Sequence, residues 1–197
     1  MELALNTNHR YSYADYLTWL DDKRRELIDG FVHLMSPAPA MRHETTRLNI
    51  AVNIKNYIKK HYRKKAGIYT APFDVRLPIK DEKTDEQIYT VVQPDICVVC
   101  DLSKIDKRGC LGAPDMIVEI LSPSTTRYDL NEKYSIYEKS GVREYWAVEP
   151  NGGAVTVFLL QENGKYDNGT VYEDEMDKIP VYIFDGLIID WQDIFDD

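Results

Sequence analysis

The chain has 197 residues, of which 44% are hydrophobic and 29% charged, a composition that fits a globular protein and excludes a disordered one. Its length suits a single domain over residues 1–197, with a core large enough to fold without disulfide or metal staples. The net charge of −9 argues against a protein that coats nucleic acid non-specifically, but it does not exclude an enzyme that acts on DNA.

The predicted elements alternate between helices and strands. In chain order we expect a helix from Ser12 to about residue 21, a hairpin over 26–35 with an Asp29-Gly30 turn, a helix over 41–64, strands over 68–77 and 92–100 separated by a charged surface loop over 80–87, a strand over 116–121, a helix over 126–140 stopped by Gly141, strands over 143–149, 155–160, 166–172 and 181–184, and a short helix containing Trp191 and Phe195. The inward face of the long helix is predicted to carry Leu48, Ala51, Val52, Ile54 and Ile58. This order predicts an α/β fold, a three-layer sandwich with a mixed sheet between helices and with additional β-hairpins.

The cysteines indicate core packing rather than a zinc site. Cys97 and Cys100 have C-x-x-C spacing but lie within a predicted strand, where residues three apart point to opposite faces. An odd number of cysteines suits a reducing compartment, no run of about 18 apolar residues suggests a membrane span, and the first residues lack the basic and apolar regions of a signal peptide. We therefore expect a cytoplasmic protein without a membrane partner.

Positive charge is concentrated near the end of the long predicted helix, at Lys55, Lys59, Lys60, His61, Arg63, Lys64 and Lys65. Cations at a helix C-terminus are favoured by the helix dipole, so a solvated helix end is one interpretation. A contact with the phosphates of a nucleic acid is the other.

Glu119 is the most informative residue of the sequence. It lies in the middle of a predicted strand that is otherwise apolar on both faces, which is typical of a buried strand. Carboxylates are almost never fully buried unless they are paired or bind a metal. Glu119 therefore needs a partner, either a cation site or an arginine in a structural ion pair.

Two Pro-Asp pairs supply candidate partners for Glu119. Asp115 precedes Glu119 by four residues on one strand, which separates them by roughly 13 Å, too far to share one ion. Asp95 opens a different strand, and neighbouring strands lie only about 4.8 Å apart. If the two strands pair, Asp95 and Glu119 can meet one ion; otherwise Asp95 is a strand-entry residue that follows a proline.

Lys133 is the candidate third charge. The inward stripe of its predicted helix is formed by Leu130, Tyr134 and Tyr137. Lys133 falls on that stripe, so its side chain can extend outward to water, pair with Asp129 at i,i+4, or reach the buried Glu119. Two carboxylates and a lysine suit metal-assisted phosphodiester hydrolysis: carboxylates hold Mg²⁺, and an ammonium stabilises charge or orients the attacking water.

These residues stand in motifs that resemble the Uma family of “putative restriction endonucleases”. The motifs are Glu26-Leu-Ile-Asp-Gly30, Met35-Ser-Pro-Ala-Pro39 with His43, Val92-Val-Gln-Pro-Asp95, Pro114-Asp-Met-Ile-Val-Glu-Ile-Leu-Ser-Pro-Ser124, Lys133, and Gly141-Val-Arg-Glu-Tyr-Trp146. The resemblance covers nearly the whole chain. It implies the PD-(D/E)XK nuclease fold, with Asp95 and Glu119 as the acidic motif residues, both of them metal ligands.

The sequence departs from the superfamily pattern at one position. The lysine expected two residues after the glutamate is replaced by Leu121, and the resemblance implies that Lys133 on the following helix takes its place. Glu26 either joins the metal site, as an N-terminal acid often does in this superfamily, or forms a surface salt bridge with a neighbouring arginine. His43 either contacts substrate or caps the long helix. Turn and cap roles are expected for Ser122 and Ser124.

The sequence thus leads to three hypotheses. The first is a Mg²⁺-dependent endonuclease that acts on DNA as a homodimer, with Mn²⁺ expected to substitute; its catalytic residues are Asp95, Glu119, Lys133 and Glu26. The second is a nuclease fold retained as a binding module for nucleic acid or protein, without turnover. The third is a metal-dependent hydrolase of small phosphoesters, which requires a closed pocket.

Overall fold

The computed structural model describes residues 5–6, 8–21, 23–35, 40–79, 84–123 and 126–196. Residues 36–39 of one family motif, residues 80–83 of the expected charged loop, and Ser124 lie outside the described residues. The helices are α1 (Tyr13–Tyr16), α2 (Met41–His61), α3 (Thr126–Tyr128), α4 (Tyr134–Ser140) and α5 (Gln192–Phe195), with a 3₁₀ turn over Leu102–Lys104 and a π-helical turn over Asp129–Lys133. The strands are β1 (Arg25–Ile28), β2 (Phe31–Leu34), β3 (Gly67–Thr70), β4 (Val75–Arg76), β5 (Val91–Val92), β6 (Ile96–Val99), β7 (Ile105–Asp106), β8 (Gly109–Leu111), β9 (Met116–Ile120), β10 (Glu144–Glu149), β11 (Ala154–Leu159), β12 (Thr170–Tyr172), β13 (Lys178–Pro180) and β14 (Ile188–Asp190).

The strands form two large mixed sheets and a small hairpin. The central sheet has the order β12-β11-β10-β9-β6-β3, and the second sheet has the order β2-β1-β5-β4-β8-β7. Within the central sheet, β9 and β10 are parallel while β6 pairs with β9 antiparallel. The hairpin of β13 and β14 stands apart from both sheets.

The two faces of the central sheet pack against different layers. Val118 and its alternate neighbours pack with Ile50 and Ile54 of α2 and with the α5 residues, forming one apolar core. Ile117 and its alternate neighbours pack with Tyr137 of α4 and with side chains of the second sheet, forming another. The predicted three-layer α/β fold is therefore confirmed, and none of the described helices is long and apolar enough to cross a membrane.

Prolines interrupt two strands that the sequence predicted as continuous. The 68–77 segment divides into β3 and β4, which lie in different sheets on either side of Pro72. The 92–100 segment divides in the same way into β5 and β6 around Pro94. Since proline has no N–H for a sheet hydrogen bond, it ends each pairing and lets the chain cross from one sheet to the other.

The long helix buries Ile54 and Ile58 as predicted, with Ala51 packed against the same core, but not the whole predicted face. Its fully buried residues are Thr46, Ile50, Ile54 and Ile58, a single i,i+4 row. Leu48 and Val52, expected inside, are 62% and 45% exposed, because each lies two positions away from that row and so faces the opposite side. The helix also ends at His61 rather than near residue 64.

Two predictions near the chain ends also need correction. The N-terminal helix has the expected Ser12 cap, with a reciprocal bond to Asp15, but it ends at Tyr16 rather than near residue 21. The expected strand over 181–184 is a turn between β13 and β14, held by the Val181 N–H donating to the Leu187 carbonyl. Val181 and Phe184 of this turn are buried by packing and not by sheet pairing, while Tyr182 is exposed.

The turn of the β1–β2 hairpin provides a stability test. Gly30 and Gly141 both have φ of +86°, but a Cβ on Gly30 would lie 3.0 Å from the Arg10 Cβ and 3.2 Å from the Tyr11 carbonyl oxygen, whereas Gly141 has open space. We expect Gly141→Ala to lose about 1–2 kcal/mol from left-handed strain alone and Gly30→Ala to lose more. Urea unfolding measures both; equal losses would show that the hairpin turn is not tightly packed.

Candidate active site

Glu119 lies on β9, on the face of the central sheet that α4 covers, and its side chain is buried. In the parallel β9–β10 pair it stands beside Ala147. On the other side, the antiparallel register pairs Ile96 with Val118, which places Asp95 opposite Glu119. The two strands that had to pair for the carboxylates to meet therefore do pair.

Lys133 reaches Glu119 from the layer above the sheet. Its Nζ lies 2.9 Å from Glu119 Oε1 and 3.7 Å from Asp129 Oδ1, so the lysine pairs with both acids instead of extending to water. The Tyr137 hydroxyl donates to the same Glu119 oxygen at 2.5 Å. No arginine is needed as the counter-ion of Glu119.

A π-helical turn determines which side chains face the site. The buried residues of this segment are Asp129, Lys133 and Tyr137, spaced by four, while Leu130 is 38% exposed. A π turn inserts an extra residue into the helix and rotates the following side chains relative to a regular α-helix. The prediction that Leu130 faces inward was therefore wrong, although the inward position of Lys133 was right.

Glu26 belongs to the same cluster. Its Oε1 lies 3.0 Å from Lys133 Nζ and accepts the Gln93 N–H at 2.8 Å, while its Oε2 accepts the Tyr128 hydroxyl at 3.2 Å. The side chain is buried, so the alternative of a surface salt bridge is wrong. The neighbouring Arg25 pairs with Asp21 instead.

Asp95 lies at the point where the chain crosses from the second sheet to the central sheet. Its Oδ2 accepts the Ile120 N–H at 2.8 Å, and His43 Nε2 lies 3.4 Å from the same oxygen. His43 is not the cap of α2, because the N-cap is Ala40, which makes no side-chain capping bond. Asp95, Glu119 and His43 all line one cleft.

Other sequence candidates have structural roles. Asp115 accepts the Cys100 N–H at 2.6 Å and pairs with Arg143 at 2.8 Å, at the opposite end of β9 from the site. Cys97 and Cys100 pack into the two different cores on opposite faces of the sheet, as expected from strand geometry. Leu121, in the position of the usual lysine, is buried in apolar surroundings.

The buried cluster contains more acidic side chains than basic ones. Burial raises the pKa of Glu119 well above its ordinary value; Lys133 opposes that shift, whereas Asp129, Asp95 and Glu26 add to it. Burial alone would lower the pKa of Lys133, but the surrounding carboxylates raise it overall, so the ammonium keeps its charge. One cation thus faces several acids, and the site attracts further positive charge.

The donor set fits one hard cation. The hydrogen bonds that the described residues make to Glu119 end on Oε1, and those to Asp95 end on Oδ2, so each carboxylate keeps one oxygen free of a protein donor. Within the described ranges, no three His, Cys, Asp or Glu side chains form a complete metal site. Mg²⁺ suits such a pair, because it is usually held by one or two carboxylates together with waters and substrate phosphates.

The carboxylates lie in a wide cleft of about 1210 Å³. Four positive side chains also line this cleft, those of Lys23, Arg24, Arg42 and Arg47. The volume exceeds the range of roughly 300–1,000 Å³ that is typical of small-molecule pockets. The basic residues at and just after the end of α2 are exposed and do not line this cleft. They are Lys55, Lys59, Lys60, His61, Arg63, Lys64 and Lys65.

Sequence reasoning missed several contributors to this site. Gln93 and the hydroxyls of Tyr128 and Tyr137 all donate to the two glutamates. Gln93 immediately precedes the Pro-Asp pair, and Tyr137 was assigned to the inward stripe only for packing. A buried carboxylate needs donors as well as counter-charges, and the nearest inward tyrosines were the available signal.

Comparison with known proteins agrees with this geometry. The family model described as “Uma2: Putative restriction endonuclease” matches residues 13–192. The chain belongs to the Uma2 family. The “Uncharacterized protein slr1290” of Synechocystis sp. is 22% identical over 160 residues, which cover 80% of this chain and 78% of that protein.

A solved structure shows the same fold. A “putative nuclease belonging to DUF820” from Anabaena variabilis shares 20% identity with this Uma2 protein; the alignment covers 93% of this chain and 97% of the other, with a TM-score of 0.73. The restriction-endonuclease-like fold expected from the sequence is therefore confirmed.

Removing the central cation should destabilise the protein. Lys133→Met leaves buried carboxylates without their counter-charge, and we expect a loss of about 3–5 kcal/mol in the free energy of unfolding. Lys178→Met is the control, because the exposed Lys178–Asp190 pair at 2.8 Å should contribute less than about 1 kcal/mol. Chemical denaturation of both variants measures the difference.

The same variant should show a distinct pH dependence. The raised pKa of Glu119 favours folding at low pH, and this contribution is lost as the pH rises through that pKa. Since Lys133 opposes the shift, removing it raises the pKa further, and the deficit of Lys133→Met should grow from mildly acidic to mildly alkaline pH. A deficit independent of pH would mean that lost packing, not charge, explains the destabilisation.

Proposed function

We propose that this Uma2 protein is a Mg²⁺-dependent endonuclease that hydrolyses phosphodiester bonds of DNA. The observation that carries the proposal is the placement of Asp95 opposite Glu119 in an open cleft, with one oxygen of each carboxylate receiving no hydrogen bond from the described residues. Membership of a family described as restriction endonucleases supports the reaction class.

Each residue has a distinct role in this proposal. Asp95 and Glu119 would hold the metal, which when bound lowers the pKa of a water and offsets charge on a phosphoryl oxygen. The Ile120 N–H donates to Asp95 Oδ2 and the Tyr137 hydroxyl donates to Glu119 Oε1, and the other oxygen of each carboxylate would bind the metal. His43 orients Asp95 from the cleft side.

Lys133 and Glu26 act on the carboxylate pair. The Lys133 Nζ lies within 3.0 Å of both Glu119 and Glu26, so it holds these two side chains close together. To stabilise charge on the substrate directly, it would have to give up one of these contacts. Glu26 holds Lys133 in place and lies near enough to assist at the same centre.

The cleft favours a polymer over a small phosphoester. Its volume and the arginines and lysine that line it suit the repeated phosphates of DNA, whereas the hydrolase of small phosphoesters needs a closed pocket. The homodimer expected from the sequence belongs to this proposal, and sedimentation at micromolar protein concentration measures it.

A second candidate is a binding module without turnover. The contacts of Lys133 favour it, because the ammonium is saturated by Glu119, Glu26 and Asp129 and the usual lysine position holds Leu121. This alternative predicts binding of nucleic acid or protein that does not depend on metal, and no cleavage of any substrate.

Paired variants separate the two candidates. We expect Glu119→Gln and Asp95→Asn each to lower the rate of Mg²⁺-dependent DNA cleavage by about 10²–10³-fold or more, the usual loss when a group that stabilises transition-state charge is removed. Asp115→Asn, in the other Pro-Asp pair, should keep its cleavage rate because Asp115 binds only structural partners. Cleavage retained in both site variants would refute the endonuclease assignment.

Metal binding can be measured without turnover. Titration with Mn²⁺, followed by the loss of its free electron paramagnetic resonance signal, should give a site that Glu119→Gln and Asp95→Asn weaken and Asp115→Asn leaves unchanged. Unaltered Mn²⁺ affinity in both site variants would show that these carboxylates are not the ligands.

A further inference from the structure

The cleft is lined by charged side chains and by one edge strand. The charged residues are acids of the central cluster and the basic residues Lys23, Arg24, Arg42 and Arg47. The edge strand is β2, which lines the cleft with Val32, His33 and Leu34. Phosphates and metal explain the charged residues, but neither needs the partly exposed imidazole of His33.

Two aromatic rings form a stack in the cleft. The His33 imidazole and the Tyr128 ring have centroids 5.0 Å apart and are inclined by only 22°. Both rings line the cleft, and the His33 side chain remains 34% exposed, with Glu132 Oε2 4.0 Å from its Nε2. The imidazole is therefore accessible from the cleft.

The position of the stack relative to the carboxylates is fixed by the hairpin. His33 is the direct cross-strand partner of Glu26 in the β1–β2 register, so the two side chains stand on the same face of the hairpin. Tyr128 stacks on His33 and also donates its hydroxyl to Glu26. The exposed imidazole is thus a direct neighbour of Glu26, which belongs to the acidic cluster.

We propose that His33, backed by Tyr128, is a platform on which an unstacked nucleobase next to the reacting phosphate is bound. The inference rests on the proposed phosphodiester substrate and specifies its class: a strand with a base free to leave its stack, as in single-stranded or flap DNA. A fully paired duplex presents phosphates, sugars and base edges to a cleft, whereas an unpaired base presents a π-face that aromatic side chains bind without sequence preference.

Fluorescence of 2-aminopurine tests the platform directly, because stacking quenches it. The probes are short oligothymidylate strands with one 2-aminopurine moved one nucleotide at a time, and the same strands in duplex form, all bound in the presence of Ca²⁺. We expect quenching at one position of the single strand, with His33→Ala abolishing it and weakening single-strand binding by about 5- to 150-fold. His33→Phe should restore both.

Phe31→Ala is the matched control. Phe31 is an aromatic residue on the same strand, 42% exposed, but it is not among the residues that line the cleft. It should leave both quenching and affinity unchanged. Circular dichroism of the His33 variants verifies that the hairpin is folded.

The outcomes separate this inference from the endonuclease proposal. Quenching that survives His33→Ala, or tight binding of the strands with no quenched position, overturns the platform while the metal-dependent cleavage remains open to its own test. Position-specific quenching that depends on His33 supports the platform even if no substrate is cleaved, in which case the endonuclease proposal alone fails.

Discussion

The structure depends on one buried ammonium. Lys133 joins three segments that are distant in sequence: the hairpin through Glu26, strand β9 through Glu119, and its own helix through Asp129. These contacts connect the second sheet, the central sheet and the helical layer at a single point. An ion cluster buried this completely is destabilising unless every member has a partner, and the surrounding tyrosines and backbone N–H groups supply the remaining bonds.

Pro94 determines the position of Asp95, the second carboxylate of the site. Because Pro94 ends the pairing of β5, the chain turns from the second sheet into the central sheet, and the next residue is Asp95. Asp95 therefore stands at the first position beside β9, where its carboxylate reaches the Ile120 N–H at the edge of the cleft. Pro94 thus ends one strand, and Asp95 lies at the crossing between the two sheets that results.

The sequence predicted these features unequally. A charge within an apolar strand identified Glu119 from local periodicity, and the rise along one strand excluded Asp115. The choice of Asp95 depended in addition on the pairing of two strands, which the sequence left open and the structure shows. The same reasoning placed Lys133 inward but misplaced Leu130. A π turn changes the helical period, and its presence could not be recognised from the amino-acid composition of the segment. It misplaced Leu48 and Val52 because α2 carries two apolar stripes, and only tertiary packing decides which one is buried.

Packing between the layers explains why an apolar residue stands two positions after Glu119. Leu121 directly follows β9 and packs into the core between the layers, so a lysine at that position would bury a charge among apolar side chains. A lysine on the helix instead approaches from above and contacts Glu119 and Glu26 together. Because Glu26 and His33 are cross-strand partners, the same contact fixes the hairpin wall of the cleft. Lys133 therefore holds both glutamates and, through Glu26, the hairpin that lines the cleft.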